Sequence, residues 1–281
     1  FWDELLSNNQ IGSYVVNKAK DGSYYWVFAL AFPITDGFLS VRLKPTSQLF
    51  VSIKQKYAEL LDAEEAQGIS PKESRELLLA EIEKLNFSDY RHFMTEALTQ
   101  EIESRQAALG KDPIKILSQL LEVSVLGNKL QAECQNILSA YNKAILVPLN
   151  LEIQSARIGN EAAPLAVISS QYDSIAKQIN ADIKKLLEAV SSVENLSSNS
   201  CKFDVCSLLL LQEVISFFSN EIDANTSVDK ALEMSLLQEA SQRNLSESLK
   251  SLTSLESEFR KFRVIYEEVR QQTTAFDVIS L

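Results

Sequence analysis

The sequence predicts a mainly α-helical protein, in which a small antiparallel sheet is followed by long helices that form a coiled-coil hairpin or bundle. Both tryptophans and three of the seven glycines lie within residues 1–44, which differ in composition from the rest of the chain. Past Gly110 only two glycines and three prolines remain to interrupt a helix. Apolar residues there recur at intervals of three and four, the spacing of helices that bury one face.

The N-terminal region predicts three strands. Residues 12–19, 23–32 and 38–43 are rich in tyrosine, valine and phenylalanine, which favour extended structure. Asp21-Gly22 and Asp36-Gly37 join them, and such dipeptides favour tight hairpin turns. We therefore expect an antiparallel meander. Three strands do not bury a core alone, so either helices cover one face or the sheet is part of a larger domain.

Helices are expected to begin at Thr46. The first ends at Gly68, and Ser70 then begins a second, where it forms a capping box with Glu73 because each side chain can bond the other's backbone N–H. After a short break, residues 89–109 predict a third helix.

Residues 112–198 predict a helical hairpin. Gly159 and Asn160 tolerate the positive φ of a helix end, and Pro164 suits the first turn of a new helix. The turn is therefore expected near residues 159–164.

Further helices are predicted beyond this hairpin. The serine- and asparagine-rich residues 195–199 predict a break, and the strongly apolar residues 203–222 predict a helix that packs into a bundle or against a second subunit. Residues 223–227 are read as the turn and cap before a final helix with heptad spacing.

Charge and cysteine content exclude several function classes. The net charge of −11 argues against nonspecific binding to nucleic acid or anionic membranes. No apolar run approaches the length of about 20 residues that spans a bilayer. Three cysteines and one histidine leave little material for a metal site, and we interpret the cysteines as reduced thiols in a cytoplasmic protein. His92 has no catalytic partner in the sequence, and no enzymatic motif is found, so neither a catalytic residue nor enzymatic activity is expected.

Residues 150–168 read N-L-E-I-Q-S-A-R-I-G-N-E-A-A-P-L-A-V-I. They resemble the cytoplasmic tip of methyl-accepting chemotaxis receptors, whose pattern is N-A-A-I-E-A-A-R-A-G-E-x-G-R-G-F-A-V-V. Gln154 and Asn160 replace glutamates of that pattern, and residues 162–164 replace its G-R-G. The resemblance implies a tip that binds a chemotaxis adaptor and a histidine kinase. The residues it assigns to partner binding are Gln154, Arg157, Asn160 and Leu165.

Residues 17–34 and 40–45 resemble the last three strands of a PAS sensor domain of the aerotaxis-receptor kind. The resemblance implies that residues 1–45 are the C-terminal part of such a domain, whose complete form holds a flavin (FAD) against its sheet. It makes Trp26 the candidate for contact with the cofactor, although Trp26 can equally fill the core. We therefore expect the chain to begin inside a larger protein.

Together these patterns predict a signal-transduction protein of the aerotaxis or energy-taxis type. The expected segments are the PAS part at 1–45, a helical connector at 46–111, the hairpin at 112–198 and a further bundle segment at 199–281. We expect a homodimer, which can also form part of a higher assembly. Gln238 and Glu239 partly match a receptor methylation site, although an ordinary helix surface is the favoured interpretation.

Two alternative functions remain open from the sequence. The hairpin can be an oligomerising scaffold that has lost kinase control, which the replacements at Gln154, Asn160 and Pro164 favour. Alternatively, the PAS domain can regulate an enzyme whose catalytic part lies outside these residues.

Overall fold

The computed structural model describes residues 5–68, 70–144, 146–158, 163–220 and 229–279. They are mainly helical, with a three-stranded antiparallel sheet near the N-terminus, as the sequence predicts. They form two compact units: one combines the residues up to Leu121 with Ser198–Leu252, and the other combines Glu122–Ser197 with the residues from Thr253 onwards.

The sheet is the predicted meander, with its strands in the order β1-β2-β3. Its strands are β1 (Ile11–Lys18), β2 (Tyr24–Ile34) and β3 (Gly37–Leu43). In the first turn Gly22 has a φ of 87°, a conformation that glycine adopts without strain. The Asp21 side chain accepts hydrogen bonds from the backbone N–H and the hydroxyl of Ser23, which hold this turn closed.

The described helices, in chain order, are α1 (Gln48–Gln67), α2 (Pro71–Lys84), α3 (Tyr90–Ala108), α4 (Lys115–Ala144), α5 (Leu146–Ile158), α6 (Ala163–Asn195), α7 (Lys202–Asn220) and α8 (Lys230–Ile279). The predicted capping box of α2 is present: Ser70 accepts from the backbone of Glu73, and the Glu73 side chain accepts from the backbone of Ser70. None of the described helices is long and apolar enough to cross a membrane.

The core of the first unit lies on one face of the sheet. Alternate residues of β2, Phe28, Leu30 and Phe32, are buried there together with residues of α3 and α7. Phe93 and Phe203 are the largest buried side chains that these two helices contribute. Burying a side chain of this size stabilises a fold by about 1.5–3 kcal/mol. Helices therefore supply the layer that three strands require.

The predicted break at 195–199 is wrong, because the chain remains helical there. Leu196–Cys201 form a π-helix that joins α6 to α7. Thr95 donates its hydroxyl to the carbonyl oxygen of Asn199 at 3.3 Å, which satisfies a carbonyl inside the widened turn. Ser197 is fully buried, so a serine-rich composition does not mark an exposed loop here.

Three helices of the second unit, α4, α6 and α8, pack around a small core. A Cβ atom on Gly127 would lie 3.5 Å from the side chain of Glu194, and Asn180 donates to Asn142 at 3.5 Å, so α4 and α6 run antiparallel. Buried residues of both helices pack with partly buried residues of α8, among them Phe262. The coiled-coil hairpin stays a prediction, since its turn at 159–162 lies outside the described residues.

Asp229 lies directly before α8 and caps its start. Its Oδ1 accepts from the backbone N–H groups of Ala231 and Leu232, both at 3.1 Å. Such a bond satisfies N–H groups that have no partner within the helix. The predicted turn and cap residues at 223–227 lie outside the described residues.

Candidate functional site

A buried carboxylate joins the sheet to the helices of the first unit. Glu101 of α3 is only 2% exposed. Its Oε1 accepts from the hydroxyl of Tyr14 at 2.9 Å and from the hydroxyl of Ser47 at 2.6 Å. Its Oε2 accepts from the backbone N–H groups of Thr46 at 2.7 Å and Ser47 at 3.2 Å. These four residues form what we call the Glu101 junction.

The junction lies where the chain leaves the sheet and enters α1. Ser47 is the N-cap of α1, and its hydroxyl oxygen also accepts from the backbone N–H of Phe50 at 3.1 Å. The N-terminus of a helix presents unpaired N–H groups and partial positive charge, which favour a carboxylate. Glu101 therefore ties β1, the first residues of α1 and α3 to one another.

Tyr14 is held in its protonated form at this junction. Its burial raises its pKa well above the ordinary value, which outweighs the lowering effect of the hydrogen bond with Ser47, and the charge of Glu101 adds to the increase. Tyr14 therefore remains a donor to Glu101 at all ordinary pH values. A buried carboxylate is stable only when such donors surround it, so displacement of any one of them weakens the whole arrangement.

Glu101 was not among the residues singled out from the sequence, although a signal was present. Met94, Leu98 and Ile102 are buried at helical spacing along α3. Glu101 falls on this same buried face. A charged residue on the apolar face of a helix is rarely buried without partners. That position marks a buried polar contact, but the sequence does not say with which residues.

Trp26 is half-buried on the face of the sheet that the helices cover. Its ring centroid lies 5.7 Å from that of Phe50 and 5.8 Å from that of Tyr57, both on α1. Protein side chains lie over Trp26, so the described residues there do not fit a flavin. Contact between Trp26 and a cofactor of the complete sensor domain stays a prediction, and no step below depends on it.

Two of the predicted tip residues are exposed on α5. Gln154 and Arg157 are three residues apart and share one side of the helix. Asn160 lies outside the described residues, as does the side chain of Leu165. The two placed residues are therefore accessible to a partner, but their arrangement with the other two is not described.

Exposed apolar side chains accompany these tip residues. Ile153 and Ile158 on α5 are 47% and 61% exposed, and Val167 and Ile168 on α6 are each 58% exposed. Single exposed apolar residues are ordinary on protein surfaces, and these four leave apolar side chains accessible on two helices that pack together. We call these four residues the apolar tip set.

The isolated histidine has structural contacts. The Nδ1 atom of His92 lies 3.3 Å from the hydroxyl of Ser88, and its ring packs edge-on against Phe87 at 5.3 Å between centroids. These contacts match the structural interpretation of His92. Within the described residues, no three side chains of histidine, cysteine, aspartate or glutamate are grouped so as to hold a metal ion.

The cysteines of the first unit are unreactive thiols. Cys201 and Cys206 are buried and free. Burial raises the pKa of Cys201 to about 11 and that of Cys206 to about 12. Both thiols therefore remain protonated at neutral pH, and the thiolate is the reactive form of cysteine.

Glu239, a possible methylation residue, is already engaged. Its Oε1 accepts from the backbone N–H and the hydroxyl of Thr35, each at 2.6 Å. These bonds hold the pKa of the carboxyl below its ordinary value. The carboxylate thus fastens α8 to the turn between β2 and β3, as expected of a structural residue.

Comparison with known proteins gives no relative from which a function can be transferred: no protein-family model matches the chain, and no curated protein matches it either.

Proposed function

We propose that this chain is a signal-transduction protein, in which the state of a sensor sheet is passed through helices to a protein partner. The observation that carries the proposal is the Glu101 junction. One buried carboxylate on α3 binds β1 and the start of the helix that leaves the sheet. A change in sheet packing that moves Tyr14 also changes the bonds available to α1.

The junction is suited to a two-state relay because its bonds are few and strong. A hydrogen bond to a charged group contributes about 1.5–3 kcal/mol. Gaining or losing one such bond therefore shifts an equilibrium between two packings by about tenfold or more. A small displacement of the sheet is enough to bias the position of α1 and α3.

The proposed output is the tip of the hairpin. Its resemblance to chemotaxis receptors, the exposure of Gln154 and Arg157, and the apolar tip set support binding of a chemotaxis adaptor and a histidine kinase by a homodimer. FAD is proposed only as a cofactor of the complete sensor domain. The relay requires none of the chemistry that a flavin would supply.

Co-sedimentation of the full-length protein with purified adaptor and kinase tests the output. We expect the wild-type protein to sediment with both, and Arg157→Glu to bind them at least about tenfold more weakly, since it reverses a charge at the tip. Lys54→Glu, which also replaces a positive side chain by glutamate at an exposed position but on α1, is the matched control and should bind normally. Absence of wild-type binding would contradict this part of the proposal.

A second candidate function is an oligomerising scaffold without kinase control. The apolar tip set favours it, because burial of exposed apolar surface drives association irrespective of the partner. Mass measurement by sedimentation equilibrium, with and without adaptor and kinase, separates the two functions. A scaffold associates with itself and leaves both partners unbound, whereas the signalling protein forms a complex with them.

A further inference from the structure

A cavity of about 200 Å³ lies within the second unit, between helices α4, α6 and α8. All eight described residues that line it are glycine, valine, leucine or phenylalanine. Among the described residues, no side chain of the lining can therefore donate or accept a hydrogen bond. A group that fills this cavity has to be apolar, because a polar group that is buried without a hydrogen-bond partner destabilises the complex.

Small residues on α4 and α6 leave this space open. Gly127 lies on the α4 wall of the cavity and has no side chain. Among the described residues, a Cβ atom there would meet within 4 Å only the side chain of Glu194, at 3.5 Å. Val190 and Val193, which are 3% and 6% exposed, form the α6 wall. A glycine beside two valines fills less volume than the larger apolar residues that usually pack between helices, which explains the gap.

The cavity has an accessible rim and a buried floor. Leu126 of α4 is 58% exposed and Phe259 of α8 is 38% exposed, so both present lining surface to water. The two valines of α6 are the buried part of the lining. Water in the cavity gains no hydrogen bond from these side chains, so its displacement by an apolar group favours binding.

The phenylalanines of α8 favour an aromatic ligand. Phe262 stacks against Tyr266, with the ring centroids 6.1 Å apart. Phe259 also lines the cavity, but its ring has no aromatic neighbour among the described residues. Aromatic rings attract one another in edge-to-face and offset arrangements, beyond the effect of the area that they bury. A ring placed in the cavity would give Phe259 such a partner.

The volume of the cavity limits the ligand to about one ring. Apolar cavities of about 150 Å³ that are lined by leucine, isoleucine and phenylalanine stay free of water and bind benzene. The cavity here is somewhat larger, at about 200 Å³, which leaves room for a small substituent on such a ring. It is smaller than the sites of about 300–1,000 Å³ that hold drug-sized molecules, so larger ligands do not fit.

We propose that this cavity binds a neutral molecule with a single aromatic ring. The ring packs against Phe259 and against the valines of the α6 wall. A ligand that binds one packing of α4, α6 and α8 better than another shifts the equilibrium between them, so it gives the second unit an input separate from the sheet. This binding needs neither the Glu101 junction nor a kinase, and it can fail or succeed independently of the signalling proposal.

Isothermal titration calorimetry of the full-length protein with toluene and with benzoate tests the ligand class. Both molecules have one ring with one substituent, but toluene is neutral and apolar, whereas benzoate carries a charge. We expect toluene to bind with a Kd below about 1 mM. Benzoate should bind at least about tenfold more weakly, because the lining offers its carboxylate no donor. Absence of toluene binding, or equal binding of benzoate, would overturn the proposal.

A second copy of the chain is the rival occupant of this cavity. The titration with toluene is therefore repeated at a tenfold higher protein concentration. A small-molecule site keeps the same Kd at both concentrations. If a second copy fills the cavity, the affinity for toluene falls as the protein concentration rises, and that result would overturn the assignment to a small molecule.

Variants locate the binding in this cavity. Phe259→Leu keeps the wall apolar but removes the ring, so toluene should bind about two- to tenfold more weakly. Gly127→Leu adds a side chain to the α4 wall and should weaken binding at least about tenfold. Phe217→Leu, the same change at an exposed phenylalanine of the first unit, is the matched control and should bind normally. Phe259→Leu keeps the test decisive if Gly127→Leu does not fold, and wild-type affinity in Phe259→Leu would overturn the assignment.

Discussion

Glu101 stabilises the first unit because it accepts hydrogen bonds from several buried donors, which lose this acceptor if its side chain is removed. Glu101→Ala leaves the Tyr14 hydroxyl and the Thr46 N–H without this acceptor. Each unpaired buried group costs about 1–3 kcal/mol, so we expect the free energy of unfolding to fall by about 3 kcal/mol. Urea denaturation followed by circular dichroism measures it. Glu103→Ala, an exposed position on the same helix, should change it by no more than about 0.5 kcal/mol. Equal effects of the two variants would contradict the role assigned to Glu101.

Gly12 is required by a close approach to the core. A Cβ atom at this position would lie 2.7 Å from the Cζ atom of Phe28, whose side chain is fully buried. Gly12→Ala should therefore lower the free energy of unfolding by about 1–3 kcal/mol, since overpacking forces neighbouring atoms to move. Thermal unfolding with calorimetric detection checks this value. An unchanged melting temperature would show that Phe28 can shift at no cost.

Asp204 should make stability depend on pH. Burial raises its pKa, against the opposing effects of the Ser251 hydrogen bond and the Arg91 charge. A raised pKa means that the folded state binds the proton more tightly than the unfolded state. This contribution is complete below the ordinary aspartate pKa of about 4 and is lost as the pH rises through the raised value. Relative to Asp204→Asn, the wild-type protein should therefore lose stability as the pH rises above about 4. Urea denaturation of both proteins across this range gives the difference, and a gain by the wild type would reverse the assigned sign.

Sequence patterns do not predict these contacts because the hydrogen-bonded residues lie far apart in the sequence. Tyr14 and Glu101 are 87 positions apart, and Gln10 and Asn244 are 234 positions apart. The spacing of apolar residues shows which face of a helix is buried, but not which distant side chain meets a polar group on that face. The candidate relay therefore emerges only from the folded chain.

At the scale of elements, short sequence patterns correctly predict the features that depend only on neighbouring residues. The Asp21-Gly22 turn and the Ser70 capping box form as predicted, because each depends on residues within three positions of one another. The break expected at 195–199 is wrong for the converse reason. The carbonyl of Asn199 gains a partner on α3, and this distant contact accompanies a helix where composition favours a loop.

Gly127 offers a test of helix α4. A Cβ atom there would meet the Glu194 side chain at 3.5 Å, an ordinary van der Waals distance. Alanine loses less backbone entropy than glycine when a helix forms, so Gly127→Ala should raise the free energy of unfolding by about 0.5–1 kcal/mol. Urea denaturation checks the sign, with Gly12→Ala as the opposite case. A loss of stability in Gly127→Ala would mean that α4 and α6 pack more closely than the structure describes.

At the scale of the whole molecule, the chain passes between its two compact units within α4, within the π-helix and within α8. Ser198–Leu252 joins the residues up to Leu121, although the two segments are far apart in sequence. The four contiguous segments inferred from the sequence stay predictions. Heptad spacing identifies helices that bury one face. Several helices could pack against the same apolar face, and the sequence does not show which of them does.

The central claim is that the Glu101 junction passes a signal from the sheet to a kinase-binding output. Kinase activity reconstituted from the full-length protein, adaptor and histidine kinase tests it most directly, with Glu101→Gln beside the exposed control Glu103→Gln. Glu101→Gln keeps the side-chain shape but replaces one accepting oxygen with a donor. We expect wild type and Glu103→Gln to change kinase activity equally, and Glu101→Gln to lose most of that change. Kinase activity that is the same with and without the wild-type protein would contradict the account.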